Sequence, residues 1–306
     1  MAEGKYFDID LNEKYVETKY IKELTNRAVT YLEAGFPAHL RGVSGVGKTA
    51  FAFHVAKEIG RPIVFMCGSE EFSSLDLIGG YFGVKKSLVV DNYISSVYKR
   101  KEEVGKMWTD GRLVTACKNG YTVIYDEFTR ARPEVNNVLL SVLEEQMVNI
   151  SNHASQNNYV KIHPDFRIIF TSNPEEYVGV YKSANALIDR MITIDIDDMD
   201  LETEKLIIMS KSGVNEKDAK IITKITRYIK TSSNEKIWLS IRCSIMLAKV
   251  VKKLSLKIEP SNEIFRKVCK DVYNSPSIII GISSVEKEKY YKLIDAAIIH
   301  AFDMSR

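Results

Sequence analysis

The chain has 306 residues, an apolar fraction of 45% and a formal net charge of +3. That length accommodates one α/β domain with a sizeable core and a smaller second domain. The near balance of charge leaves no electrostatic footprint for a nucleic acid, and no apolar run is long enough to span a bilayer, so neither a nucleic acid nor a membrane is an expected partner.

The N-terminus, Met1 to Asp10, is polar and acidic and does not read as a signal peptide. Residues 1–35 read as an arm and a leading helix: Tyr20, Leu24, Ala28, Tyr31 and Leu32 recur at helical spacing, and Gly35-Phe36-Pro37 stops the run. Over 36–198, five short apolar runs alternate with helical patterns: Ala38–Leu40, Ile63–Met66, Thr122–Tyr125, Ile168–Thr171 and Ile192–Ile196. Runs this short and this rich in Ile, Val and Phe suit strands buried on both faces, and their alternation with helices predicts a parallel sheet with helical crossovers. Four aspartates in Asp195–Asp200 mark a hinge. Beyond it, over 199–306, the patterns are helical: Leu201–Lys211, Lys217–Lys230, Ile241–Leu256, Glu263–Val272 and Val285–Phe302 predict a smaller all-α lid domain. The basic runs Lys99-Arg100-Lys101 and Lys252-Lys253 read as solvated helix faces. Cys67, Cys117, Cys243 and Cys269 have no C-x-x-C spacing and read as buried thiols of a reducing cytosol.

The loop after the first strand is Gly42-Val43-Ser44-Gly45-Val46-Gly47-Lys48-Thr49, which fits the phosphate-binding pattern G-x-x-x-x-G-K-[ST] without a mismatch. A strand before it and a helix after it are the setting the pattern requires. Its glycines let backbone N–H groups turn inward around the phosphates of a nucleotide. Lys48 is then expected to set its ammonium on those phosphates and Thr49 its hydroxyl on Mg²⁺, which makes ATP and magnesium the expected ligands.

Hydrolysis needs more than a cradle. The strand Thr122-Val123-Ile124-Tyr125 runs into Asp126-Glu127, and these carboxylates suit two tasks: Asp126 holds the magnesium shell, and Glu127 polarises the attacking water as general base. Without the phosphate loop the pair would be an ordinary acidic turn. Asn173, in Phe170-Thr171-Ser172-Asn173-Pro174, stands where a polar strand tip reaches the γ-phosphate or orients the water; the same residues also read as a plain Asn-Pro turn. Arg190, just before the fifth strand, suits neutralisation of transition-state charge in cis or on a neighbouring subunit's nucleotide. Its plainer use is an ion pair with Asp189 or another surface acid. Arg242, in Leu239-Ser240-Ile241-Arg242, opens a lid helix and reads either as a group reaching back to the nucleotide or as a solvated arginine.

Taken together these segments resemble an AAA+ ATPase of the MoxR-like branch. The specific wording is Gly111-Arg112-Leu113, then Asp126-Glu127-Phe128-Thr129-Arg130-Ala131-Arg132-Pro133, then Leu139-Leu140-Ser141-Val142-Leu143-Glu144-Glu145, with Asp76-Leu77-Ile78-Gly79 ahead of a long insertion. The resemblance implies a P-loop sheet flanked by helices with a helical lid. It makes Gly42 to Thr49 the phosphate loop, Asp126 and Glu127 the magnesium and water carboxylates, and Asn173 the first sensor. It suggests Arg190 as a finger acting in trans and Arg242 as the second sensor, with Arg130 a further inter-subunit candidate. Met191 stands where the family usually has Phe, a change at a packing position that leaves the charge in place. A homo-oligomeric ring, often a hexamer, is implied because the finger must reach the next subunit. The activity implied is ATP-driven remodelling of a protein partner.

Within this picture the insertion containing Gly79-Gly80-Tyr81-Phe82-Gly83 reads as aromatic and flexible, either touching a substrate at a ring's centre or packed on its own domain. Residues 146–166 read as a polar hairpin with Ser151–Asn158 as its tip. A nucleotide-gated scaffold with slow hydrolysis fits the same residues. A DNA-directed motor is disfavoured by the weak net charge.

Overall fold

The computed structural model describes residues 15–91, 99–150, 159–173, 186–196, 199–232, 239–274 and 284–303; the proposed arm before residue 15 and the hairpin tip Ser151–Asn158 lie outside them. In chain order the first elements are α1 (Lys19–Glu33), β1 (Ala38–Arg41), α2 (Lys48–Ile59), β2 (Ile63–Cys67) and α3 (Ser74–Ile78). Then come β3 (Gly79–Asp91), β4 (Lys99–Asp110), α4 (Arg112–Asn119), β5 (Thr122–Asp126), a 3₁₀ turn (Phe128–Arg130), α5 (Pro133–Glu144), β6 (Met147–Asn149) and β7 (Tyr159–Lys161). The rest are β8 (Arg167–Ser172), β9 (Ile192–Asp195), α6 (Leu201–Ser212), α7 (Glu216–Ser232), α8 (Ile241–Leu254), α9 (Glu263–Asn274) and α10 (Ser284–Asp303).

All five apolar runs form strands of one sheet, in the order β2-β5-β8-β1-β9. β5 pairs in parallel with β2 and with β8, setting Cys67 opposite Asp126 and Tyr125 opposite Phe170. β5 is buried along its whole length and β8 from Ile168 to Ser172, as central strands covered on both faces must be, whereas β2 at the edge alternates. Tyr125, Phe128 and Phe170 pack ring against ring at this core, with centroids 5.3–6.4 Å apart. Truncating such an aromatic to alanine costs about 3–5 kcal/mol.

The chain divides into two compact units. One is Val29–Leu40 with Ala52–Ile194, and its core includes Met66, Leu77, Leu113, Tyr125, Phe128, Leu139 and Phe170. The other gathers Asp10–Ala28, Arg41–Phe51 and Asp195–Arg306, with a helical core that includes Ile208, Ile222, Ile225, Leu247, Phe265 and Ile298. Asp200 caps α6 by accepting from the Thr203 N–H at 2.9 Å and its hydroxyl at 2.8 Å. Inside the helical core Thr226 bonds Ser244 and Tyr273, each at 2.8 Å, so this buried polar cluster satisfies itself.

Two expectations need correction, and the 79–110 insertion takes one of its two open readings. The 79–110 insertion is a two-stranded antiparallel sheet, β3 with β4, whose register shifts between Tyr81 and Val84. Tyr81 meets Trp108 edge to face at 5.2 Å and so packs on its own hairpin. Lys99-Arg100-Lys101 opens β4 and is no helix face; its unbroken charge hid the strand from any period-2 pattern. Cys67 is exposed, because β2 ends there at the sheet's edge, while Cys117, Cys243 and Cys269 are buried as read. The 146–166 segment does form a hairpin, β6 with β7, pairing Met147 with Lys161.

Candidate active site

The phosphate loop leaves β1 and runs into α2, which begins at Lys48, so its N–H groups face outward from a helix N-terminus, where anions bind. Lys48 is buried, and its Nζ donates to the carbonyls of Gly42 (2.8 Å) and Val43 (2.9 Å), which folds the ammonium into the loop's own curve. Gly45 takes φ +84°, and a Cβ there would fall 2.5 Å from Ser240 Oγ and 3.6 Å from Arg242 Cδ. The loop and Arg242 are therefore neighbours within one unit. Beside them Val46, Met199, Leu239 and Ile241 line a narrow crevice that Arg227 and Lys230 also border. Arg227 is fixed there by Glu204 (2.7 Å) and the Met199 carbonyl (2.5 Å). Ser240 and this crevice were not legible beforehand, since the chain returns to the loop only after a long sequence separation.

The acidic residues sit at the carboxyl end of β5. Asp126 is buried and accepts from Thr171 Oγ1 at 2.5 Å; the same hydroxyl accepts from the Glu127 N–H at 3.0 Å. One hydroxyl thus holds the Asp126 side chain and the Glu127 backbone together. Glu127 turns at φ 50°, a left-handed conformation uncommon for a non-glycine residue, which carries the chain off the strand into the 3₁₀ turn. Arg130 Nη1 donates to Glu127 Oε2 at 2.7 Å. Gly68 makes the close approach possible: its N–H donates to the Asp126 carbonyl at 2.8 Å, and a Cβ there would lie 2.3 Å from the Glu127 carbonyl. Burial, and after it the Asp126 and Glu127 carboxylates, push the Cys67 thiol above the ordinary thiol value.

Asn173 directly follows the buried tip of β8 and is half-buried. Arg190 follows the helical turn at 186–188 and pairs with Glu144 at the end of α5 and with the Ala186 carbonyl. The structure therefore brings Asp126, Glu127 and Thr171 together in one unit and the loop and Arg242 together in the other, while Arg190 rests on an acid of its own chain. Thr171 was missed as a functional residue; its signal was a hydroxyl at the polar end of an apolar strand, two residues before Asn173. The Thr49 hydroxyl in one unit and the buried Asp126 carboxylate in the other are each hard oxygen donors, the kind magnesium takes.

The family model described as an AAA domain of the dynein-related subfamily matches residues 38–191. A gas vesicle ATPase GvpN from Ancylobacter aquaticus is 41% identical over 261 residues, covering 85% of this chain and 73% of that protein. The gas vesicle ATPase GvpN of Haloferax mediterranei is 38% identical over 71% of this chain and 62% of its own length. Among solved structures, a mutant form of Thermotoga maritima RuvB superposes with a TM-score of 0.51 at 17% identity, over 78% of this chain and 64% of that one, a likeness of fold alone.

Proposed function

The chain belongs to the AAA ATPases, in the MoxR-type branch that holds the gas vesicle ATPases GvpN, and from that premise we propose that it hydrolyses ATP to assemble or remodel a protein partner during gas vesicle formation. Its partners on this reading are further copies of itself in a hexameric ring and other gas vesicle proteins. Its place is the cytoplasm, at the growing vesicle.

The chemistry assigned to this chain's residues is as follows. Gly42 to Thr49 bind the phosphates through loop N–H groups, and Lys48 exchanges the Gly42 and Val43 carbonyls for phosphate oxygens. The crevice lined by Val46, Met199, Leu239 and Ile241 takes the base. Thr49 and Asp126 would hold magnesium, which when bound would supply positive charge to the phosphates. Glu127 takes a proton from the water whose oxygen bonds the γ-phosphorus as the bond to the β-phosphate bridging oxygen breaks and ADP leaves. Asn173 orients that water. Arg190 neutralises charge on the next subunit's nucleotide, and Arg242 reports the nucleotide's state to the lid. The observation that supports hydrolysis is the Thr171 hydroxyl, which ties the Asp126 side chain to the Glu127 backbone.

A slow, nucleotide-gated scaffold has one observation in its favour. In a single chain both Glu127 and Arg190 are engaged by salt partners, Arg130 and Glu144. A mixing experiment separates the readings. Arg190→Ala subunits bind ATP but turn over poorly, Lys48→Ala subunits do not bind, and a mixture regains partial turnover because intact fingers meet intact loops. Absence of rescue at every ratio counts against a finger in trans.

A further inference from the structure

His39 lies in the middle of β1, fully buried between Ala38 and Leu40, where an aliphatic side chain would fill the same space without a polar atom to satisfy. Its Nε2 is 2.7 Å from Ser172 Oγ on β8, and its Nδ1 is 3.0 Å from Thr193 Oγ1 on β9. The ring stands edge-on to Phe128, centroids 5.4 Å apart at 86°. A neutral imidazole satisfies both hydroxyls, since one ring nitrogen donates, the other accepts, and a hydroxyl does either.

Each of these three contacts leads to a functional tip. Ser172 is the residue before Asn173. Phe128 is the residue after Glu127. Thr193 is three residues beyond Arg190, on the strand that Arg190 leads into. We propose that His39 is a positioning residue of the ATPase: it ties β8 and β9 across β1 and braces Phe128, so that Asn173, Glu127 and the segment bearing Arg190 keep one mutual geometry. The proposal rests on the hydrolytic reading above. Two directed bonds in a sheet core fix strand tips more tightly than apolar contact, and a misplacement of about 1 Å at reacting groups costs on the order of 10²-fold in rate. His39 is far in sequence from the residues it serves and lies outside the phosphate-loop pattern, which is why the motifs alone did not single it out.

The test is steady-state ATP turnover and nucleotide affinity, read by a fluorescent ATP analogue, for wild type, Glu127→Gln, His39→Leu, His39→Gln, Ser172→Ala, Thr193→Val and the double variant His39→Leu/Ser172→Ala. The expected result is nucleotide affinity within about twofold of wild type and kcat lowered about tenfold or more in His39→Leu. Partial recovery is expected in His39→Gln, whose amide keeps a donor and an acceptor. The double variant should be little worse than the worse single one, because both remove the same bond. Unchanged kcat in a folded His39→Leu, or losses that simply add, overturns the proposal. If His39→Leu does not fold, Ser172→Ala and Thr193→Val each remove one of the two bonds, and unchanged kcat in both overturns it equally. Wild type no faster than Glu127→Gln sinks the hydrolytic reading itself, an outcome distinct from wild-type turnover that His39→Leu leaves intact.

Discussion

Replacing Thr171 with valine removes one hydroxyl and preserves the side chain's volume. In the native protein that hydroxyl donates to Asp126 at 2.5 Å and accepts from the Glu127 N–H at 3.0 Å, at a position with no solvent exposure. A hydrogen bond to a charged group contributes about 1.5–3 kcal/mol and a neutral one about 0.5–1.5 kcal/mol. The two together amount to about 2–4.5 kcal/mol, and water cannot readily replace them at a buried site. At about 1.4 kcal/mol per factor of ten, turnover should fall about fivefold to fortyfold even if only half of that sum is expressed at the transition state. Thr171→Ser keeps the hydroxyl and should stay within about threefold of wild type, its cost being one buried methyl of about 1 kcal/mol felt in stability. The assay is steady-state ATP hydrolysis at saturating nucleotide, with binding measured separately so that affinity and rate are not confused. Turnover of Thr171→Val within twofold of wild type would refute the idea that this hydroxyl holds the catalytic edge.

Other consequences are accessible to simple measurements. Gly45→Ala puts a Cβ 2.5 Å from Ser240 Oγ at a φ that alanine rarely adopts, so nucleotide affinity should fall at least tenfold by direct titration. Cys67 is the exposed thiol among the four cysteines and is raised by burial and then by Asp126 and Glu127, so Asp126→Asn should ease its ionisation and speed its alkylation at pH 8; an unchanged labelling rate would mean the carboxylate is not felt there. At Asp200, burial pushes the carboxyl up but the Thr203 N–H and hydroxyl outweigh it, leaving the folded value below the ordinary one. A carboxyl lowered by folding stabilises the protein above its unfolded value and loses that contribution as pH falls through the folded one. Asp200→Ala should therefore cost about 1 kcal/mol in chemical denaturation at pH 7, with the difference shrinking below about pH 4.

The strands were legible because each was a short apolar run bounded by turns, and all five proved to be strands of one sheet. The C-terminal helices were equally plain, since Ile222, Ile225 and Ile229 repeat at helical spacing and are all buried. What periodicity could not show was the β3–β4 hairpin, where Lys99–Lys101 and Glu102-Glu103 mask any alternation. Motif residues were readable one at a time, because a phosphate loop or an acidic strand end carries its chemistry in local wording. The groups that orient them were not. Thr171 and His39 act across neighbouring strands, and nothing in their local sequence says which strand lies alongside. Arg190 shows the same limit in another form: its partner Glu144 is 46 residues away, and the sequence could name only Asp189 or another surface acid.

Central to all of this is an ATPase site completed by a second copy of the chain. The direct measurement is ATP turnover per subunit over a wide range of protein concentration, with Glu127→Gln as the blank. Turnover per subunit that climbs steeply with concentration and then levels is the predicted result, since Arg190 then meets a neighbour's nucleotide. Turnover above the blank that stays flat from the most dilute sample upward would contradict it, because each chain would then be sufficient alone.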